Sequence, residues 1–174
     1  SRLFSQLRPG DLLIITAPNE ATRSNDVHYP YRTSSDMIYL CGWEDPEAVF
    51  CAYNEDGDWV TTLFVQPKDI LKEIWEGRRP GIQGAVCNWP VDKAESHEDL
   101  VEKLGKMLVD CSRIFVKLGV DSVVDKLVDD EIKSNSRDRQ KFGLGPISIV
   151  DPSGLINELP IPPYLVSEWR SLAK

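Results

Sequence analysis

The sequence predicts an α/β domain built as a mixed β-sheet covered by helices, and three observations lead there. Strand-like and helix-like stretches alternate along the chain, without an internal repeat or a low-complexity tract. Its 174 residues amount to one ordinary domain. With 41% apolar and 28% charged residues it can bury a full core, which excludes a disordered, collagen-like or disulfide-stapled chain.

Leu3, Phe4 and Leu7 recur at helical spacing ahead of Pro9-Gly10, so the first residues read as the last turns of a helix that begins before this chain does. Asp11 to Ala17 is a buried strand, followed by a long polar loop from Pro18 to about Ser35. Ser34 or Ser35 caps a short helical turn through Tyr39, with Asp36 near its positive end. Glu47 to Tyr53 and Trp59 to Val65 flank Asn54-Glu-Asp-Gly57-Asp, whose residues tolerate positive φ, and read as an antiparallel hairpin. Pro67 suits a first helical position, Ile70, Leu71 and Ile74 line one face after it, and Gly77 is the expected stop.

Ser96 and Asp99 resemble a capping pair ahead of Leu100, Val101, Leu104 and Leu108, an amphipathic helix. Arg113 to Leu118 is the next strand. Asp121 caps a helix that turns Val124, Leu127, Val128 and Ile132 inward, and Ile147 to Val150 is the last strand. The sum is five strands and three or four helices.

Twenty Lys and Arg against 28 Asp and Glu leave a net charge of −8, a field that repels polyanions and lipid headgroups. Neither nucleic acid nor a membrane is an expected partner. The longest apolar run, from Asp11 to Ala17, falls far short of the roughly 18 residues a membrane span requires. Cys41, Cys51, Cys87 and Cys111 form no CxxC pair and have no nearby His, so free buried thiols in a reducing compartment are expected rather than disulfides or a zinc site. No signal or transit pattern opens the chain, and a cytoplasmic location is the expectation.

Catalytic motifs are scarce. The two histidines, His28 and His97, stand far apart, and His97 reads as a solvated residue in the first turn of a helix. His28 beside Asp26 has proton-transfer or metal-binding capacity, although such loop pairs are common without catalysis. No GxGxxG, GxxxxGK, GxSxG or HExxH string occurs, which removes the commonest dinucleotide, nucleoside triphosphate, serine-hydrolase and zinc-protease readings. The acidic run Asp125 to Glu131 reads as the solvated stripe of a helix. Lys133, Arg137, Arg139 and Lys141 read either as cations complementing that helix's C-terminus or as an anion contact. Arg78 and Arg79, just after Trp75, invite the same two readings, and a guanidinium beside an indole also suits partner recognition.

The stretch Thr22-Arg-Ser-Asn-Asp-Val-His-Tyr-Pro-Tyr-Arg32, continued by Ser35-Asp36, Tyr39, Gly42 and Asp45-Pro-Glu-Ala48, resembles the N-terminal domain of aminopeptidase P, the X-Pro aminopeptidases related to creatinase and prolidase. A second block, Glu73-Ile-Trp-Glu-Gly-Arg-Arg79, resembles the same family's signature further downstream. The likeness runs over residues 3 to 159. Read physically, Tyr29-Pro30-Tyr31 must be extended, because Pro30 disfavours a helical residue before it. It then offers two rings and Arg32 as a semi-rigid platform, or simply packs over the sheet.

The resemblance implies helices on both faces of the mixed sheet, a creatinase-like domain with ribonuclease H-like layering over residues 1–159. Residues 160–174 would be a linker or atypical tail, where Pro160, Pro162 and Pro163 interrupt any helix. It also implies that catalysis belongs to a pita-bread domain that this chain does not contain, where two Asp, one His and two Glu hold two manganese ions and activate a water. The chain alone is expected to be inactive. Its implied contribution is homo-oligomer assembly and a wall of the channel for peptides with proline in second position. By the same resemblance Trp75 reaches a partner's substrate pocket, while Asp26 and Arg137 stand near the channel entrance.

Two other functions remain open at this level. One is a stand-alone module binding peptides or proteins through Tyr29 to Arg32 and Trp75; the FACT histone chaperone's large subunit is similar in reusing such a scaffold without peptidase activity. The other is a small hydrolase using Asp26 and His28.

Overall fold

The computed structural model describes residues 3–18, 22–24, 27–28, 31–69, 79–141 and 146–159, with side-chain detail at all of these except 22–24, 27–28 and 135–140. The strands among them are β1 (Asp11–Thr16), β2 (Thr22–Ser24), β3 (Val27–His28), β4 (Val49–Glu55), β5 (Asp58–Val65), β6 (Lys93–Ser96), β7 (Arg113–Val116) and β8 (Ser148–Val150). The helices are α1 (Ser35–Cys41), α2 (Gly81–Asn88), α3 (Leu100–Val109), α4 (Ser122–Lys141) and α5 (Ser153–Asn157).

β1 lies at the centre, and all six of its residues are buried. A strand alternates its side chains, so a continuous apolar run serves two cores at once: Leu13 and Ile15 enter one cluster, Leu12 and Ile14 the other. Six strands form the main sheet in the order β6-β5-β4-β1-β7-β8. β4 is antiparallel to both β1 and β5, whereas the β1–β7, β5–β6 and β7–β8 pairs are parallel, so β4 alone runs against the rest.

On one face Leu13, Phe50, Leu63 and Phe115 meet Met37 and Cys41 of α1, Ala85 of α2 and Ile156 of α5. On the other, Leu12, Phe64 and Ile114 meet α3 and α4. Leu100, Leu104 and Leu108 recur every fourth residue of α3 and all three are buried. Each such leucine stabilises the fold by about 1.5–3 kcal/mol on burial. Val124 and Val128 do the same for α4, with Leu127 and Ile132 half-covered beside them, which is the inward stripe the sequence predicts.

Some expectations are corrected. Leu3 to Gln6 is a turn closed by Gln6 N donating to Leu3 O at 3.1 Å, not a helix end, and Leu3 and Leu7 are held in the core beside α5. The main sheet has six strands rather than five, because β6 was not anticipated. The polar loop holds a small antiparallel ladder, β2 with β3. The hairpin turns on Asp56 (φ 52°) and Gly57 (φ 98°), the two successive positive values that match a two-residue turn to strand twist. Ser96 caps only the single 3₁₀ turn His97–Asp99, accepting from Glu98 N at 3.2 Å, and Asp99 makes no cap bond. Asp121 caps α4 as expected, accepting from Val123 N at 2.9 Å and Val124 N at 3.0 Å. The helix expected after Pro67 falls largely at 70–78, outside the described residues. Among the described residues Cys41, Cys51, Cys87 and Cys111 form no disulfide, the first, second and fourth buried and Cys87 exposed.

Candidate functional site

The described part of the first family-like string runs into α1 and out of its far end. Tyr31 enters half-buried, Arg32 is exposed, and Thr33 is buried. Ser34, in extended backbone, starts the helix by accepting from Met37 N at 3.2 Å. Gly42 stops it: at φ 71° its N–H reaches Ile38 O at 2.8 Å and Met37 O at 3.2 Å, a left-handed cap that side chains with a Cβ resist.

Immediately after this stop the chain plunges inward. Trp43 is 2% exposed and packs at 58° against Trp89, ring centroids 4.8 Å apart. The indole of Trp89 donates to Gly42 O at 3.0 Å, tying the end of α2 to the end of α1. The indole N–H of Trp43 finds no acceptor among the described residues. Two residues on, Asp45 is half-buried, and its burial pushes the carboxyl above its ordinary range. The Arg79 guanidinium opposes that shift and neighbouring Glu44 adds to it. Asp45 comes from the first family-like block and Arg79 from the end of the second, and the two lie close enough for the guanidinium's charge to act on the carboxyl.

Of the residues singled out in the sequence, Tyr31 and Arg32 sit at this entry to α1. Asp26, Tyr29 and Trp75 lie outside the described residues, and Arg137 is placed only by its backbone, in the second half of α4. α4 packs on the sheet face opposite α1, so the structure does not gather Arg137's helix with the Tyr31 segment. His28 is likewise placed only by its backbone, in β3. His97 is half-buried with its Nε2 enclosed and unbonded, not the solvated residue its helical position suggests. Of the acidic run expected to be a solvated stripe, Asp129 and Asp130 are exposed, Asp129 pairing with Lys133 at 2.5 Å, whereas Asp125 and Glu131 are half-buried. Trp43 and Trp89 carry no role in the sequence analysis, and Asp45 enters there only as part of the family-like string; a large aromatic directly after a helix-stopping glycine was the available signal.

Among the described residues no three His, Cys, Asp or Glu side chains are grouped to hold a metal ion, and no helix is long and apolar enough to cross a membrane.

Residues 1–115 match the family model of the aminopeptidase P N-terminal domain. The Xaa-Pro aminopeptidase of Escherichia coli is 29% identical over 158 residues, 90% of this chain and 36% of that protein. Among solved structures, Zn-substituted E. coli aminopeptidase P in complex with product superposes with a TM-score of 0.81 at 29% identity, over 95% of this chain and 38% of the other. Proline aminopeptidase P II from Yersinia pestis gives 0.77 at 31% identity, over 90% and 36%. The chain thus spans little more than a third of the length of these relatives.

Proposed function

Since the chain belongs to the family of aminopeptidase P N-terminal domains, we propose that it serves as the non-catalytic N-terminal domain of an X-Pro aminopeptidase, an enzyme that releases an N-terminal residue preceding proline. In this reading it supplies oligomer contacts and one wall of the substrate channel, with Asp26, Tyr29, Tyr31, Arg32, Trp75 and Arg137 as contact residues. Hydrolysis belongs to a separate domain carrying two manganese ions. The described residues of this chain offer no fitting donor set, so no metal-dependent step is assigned to them. A cytoplasmic setting fits four cysteines that form no disulfide among the described residues.

The observation that carries this reading is coverage: the family model fits residues 1–115, while 90% of the chain aligns with only 36% of the E. coli enzyme. One observation favours the stand-alone binding module instead, the exposed Arg32 beside half-buried Tyr31. A reading frame that continues into an Asp, Asp, His, Glu, Glu set decides for the first.

The direct test incubates the purified chain with an X-Pro peptide, with and without Mn²⁺, and measures its sedimentation in parallel. Product at the level of the buffer blank and self-association weakened by Trp75→Ala are expected. Metal-dependent cleavage by this chain overturns the non-catalytic role, and sedimentation as a monomer at every concentration overturns the assembly role.

A further inference from the structure

The opposite face of the molecule holds a groove that the proposed function does not use. It opens between α3 and the sheet where β1 and β6 begin and β4 ends, with a volume of about 450 Å³. We propose that this groove binds a lysine or arginine side chain presented by a protein segment.

The floor is apolar with one open polar group. Leu12 is buried, Tyr53 and Met107 are half-buried, and all three line the groove, a surface suited to a chain of methylenes. Thr62, 1% exposed, also lines it, and its hydroxyl has no hydrogen-bond partner among the described residues. A buried hydroxyl left unpaired is unfavourable, and a donor arriving on a ligand relieves it.

The charges select the ligand's sign. Each lysine of the lining is already committed: Lys93 to Glu55 at 2.7 Å, Lys103 to Glu95 at 2.5 Å and Lys106 to Glu102 at 2.6 Å. Asp11 is neutralised by Arg113. That leaves Asp56 and Asp110, both exposed at the rim and both without an ion-pair partner among the described residues. Two uncompensated carboxylates above an apolar floor with an open hydroxyl favour a cationic head on an aliphatic stem. A protein side chain delivers that combination with its backbone lying across the open mouth.

The test titrates three probes into the ¹⁵N-labelled chain and follows amide shifts: an acetylated, amidated Ala-Lys-Ala peptide, its norleucine counterpart, and n-butylamine. Saturable shifts at Leu12, Tyr53, Thr62 and Met107 are expected with the lysine peptide, with binding at least about fivefold weaker for the other two. Asp56→Asn with Asp110→Asn, both at exposed positions, should weaken lysine binding about tenfold and flatten its salt dependence. Thr62→Val should weaken it while leaving the salt dependence unchanged. Equal binding of the norleucine peptide, equal binding of butylamine, wild-type affinity in the double variant, or no saturable shift overturns the proposal.

Discussion

Arg113, at the start of β7, grips both carboxylate oxygens of Asp11 at the start of β1, Nε to Oδ1 at 2.8 Å and Nη2 to Oδ2 at 2.5 Å. The Asp11 side chain is only 4% exposed, and it also accepts from Arg8 N at 2.7 Å. Arg113→Leu therefore strands a buried carboxylate and should cost about 2–4 kcal/mol, read as a lower urea midpoint at unchanged slope. Because the pair is sheltered, about 0.5 M NaCl should leave most of the loss in place. A wild-type midpoint would show that the pair adds nothing.

Thr61 and Asp92 exchange three hydrogen bonds: Thr61 N and Oγ1 donate to Asp92 Oδ2 at 2.8 and 2.6 Å, and Asp92 N donates to Thr61 Oγ1 at 2.9 Å. The Thr61 hydroxyl is the main cause holding the Asp92 carboxyl below its ordinary value of 3.8. A folded-state value depressed in this way gives stability that is present above the unfolded value and lost as pH falls through the folded one. Asp92→Ala should then cost about 1 kcal/mol at neutral pH, and the gap between variant and wild-type melting temperatures should narrow below about pH 4. A gap constant from pH 7 to 3 would refute the linkage.

The two packed indoles should respond unequally. Trp89→Phe removes a hydrogen bond to Gly42 O and should cost about 1–2 kcal/mol in chemical denaturation. Trp43→Phe loses volume but also removes a buried N–H without an acceptor, so the two effects offset and the change should stay within about 1 kcal/mol. Equal costs for both would contradict this.

Thiol titration should divide the cysteines. Burial pushes the Cys41 thiol up to about 11 and raises that of Cys51 as well, and Cys111 is buried, its Sγ donating to Leu108 O at 3.1 Å. An aromatic disulfide reagent at pH 8 should label exposed Cys87 promptly and the others only on unfolding, and Cys87→Ser should abolish the fast phase. Fast labelling persisting in that variant would place a second thiol at the surface.

Gly57→Ala meets no atom within 4 Å, so its whole cost is the φ of 98°. About 1 kcal/mol of destabilisation is expected, with Gly57→Asn losing less.

What the sequence made legible follows from where the information sits. β1, α3 and α4 announce themselves because Leu12 to Ile15, Leu100/Leu104/Leu108 and Val124/Val128 write burial locally, as runs or as periods. β6 has one small apolar residue, Ala94, among its four, and becomes a strand only through its register with β5, Thr62 to Lys93 through Val65 to Ser96. α2 hides behind Gly81 and Gly84. At the candidate site, the family-like strings were visible as letters, but the bond from Trp89 to Gly42 joins positions 47 apart and no local pattern encodes it.

The outermost strands of the sheet decide how copies of this domain are able to meet. A lateral strand with free backbone groups invites another chain to add on and extend the ribbon. Here β6 carries Lys93 and Glu95, each engaged in an ion pair, and β8 is three residues long. Neither is a long open template for cross-molecular strand addition, so a contact between copies, if formed, would use helix and loop surfaces, a geometry that favours closed over open-ended assembly.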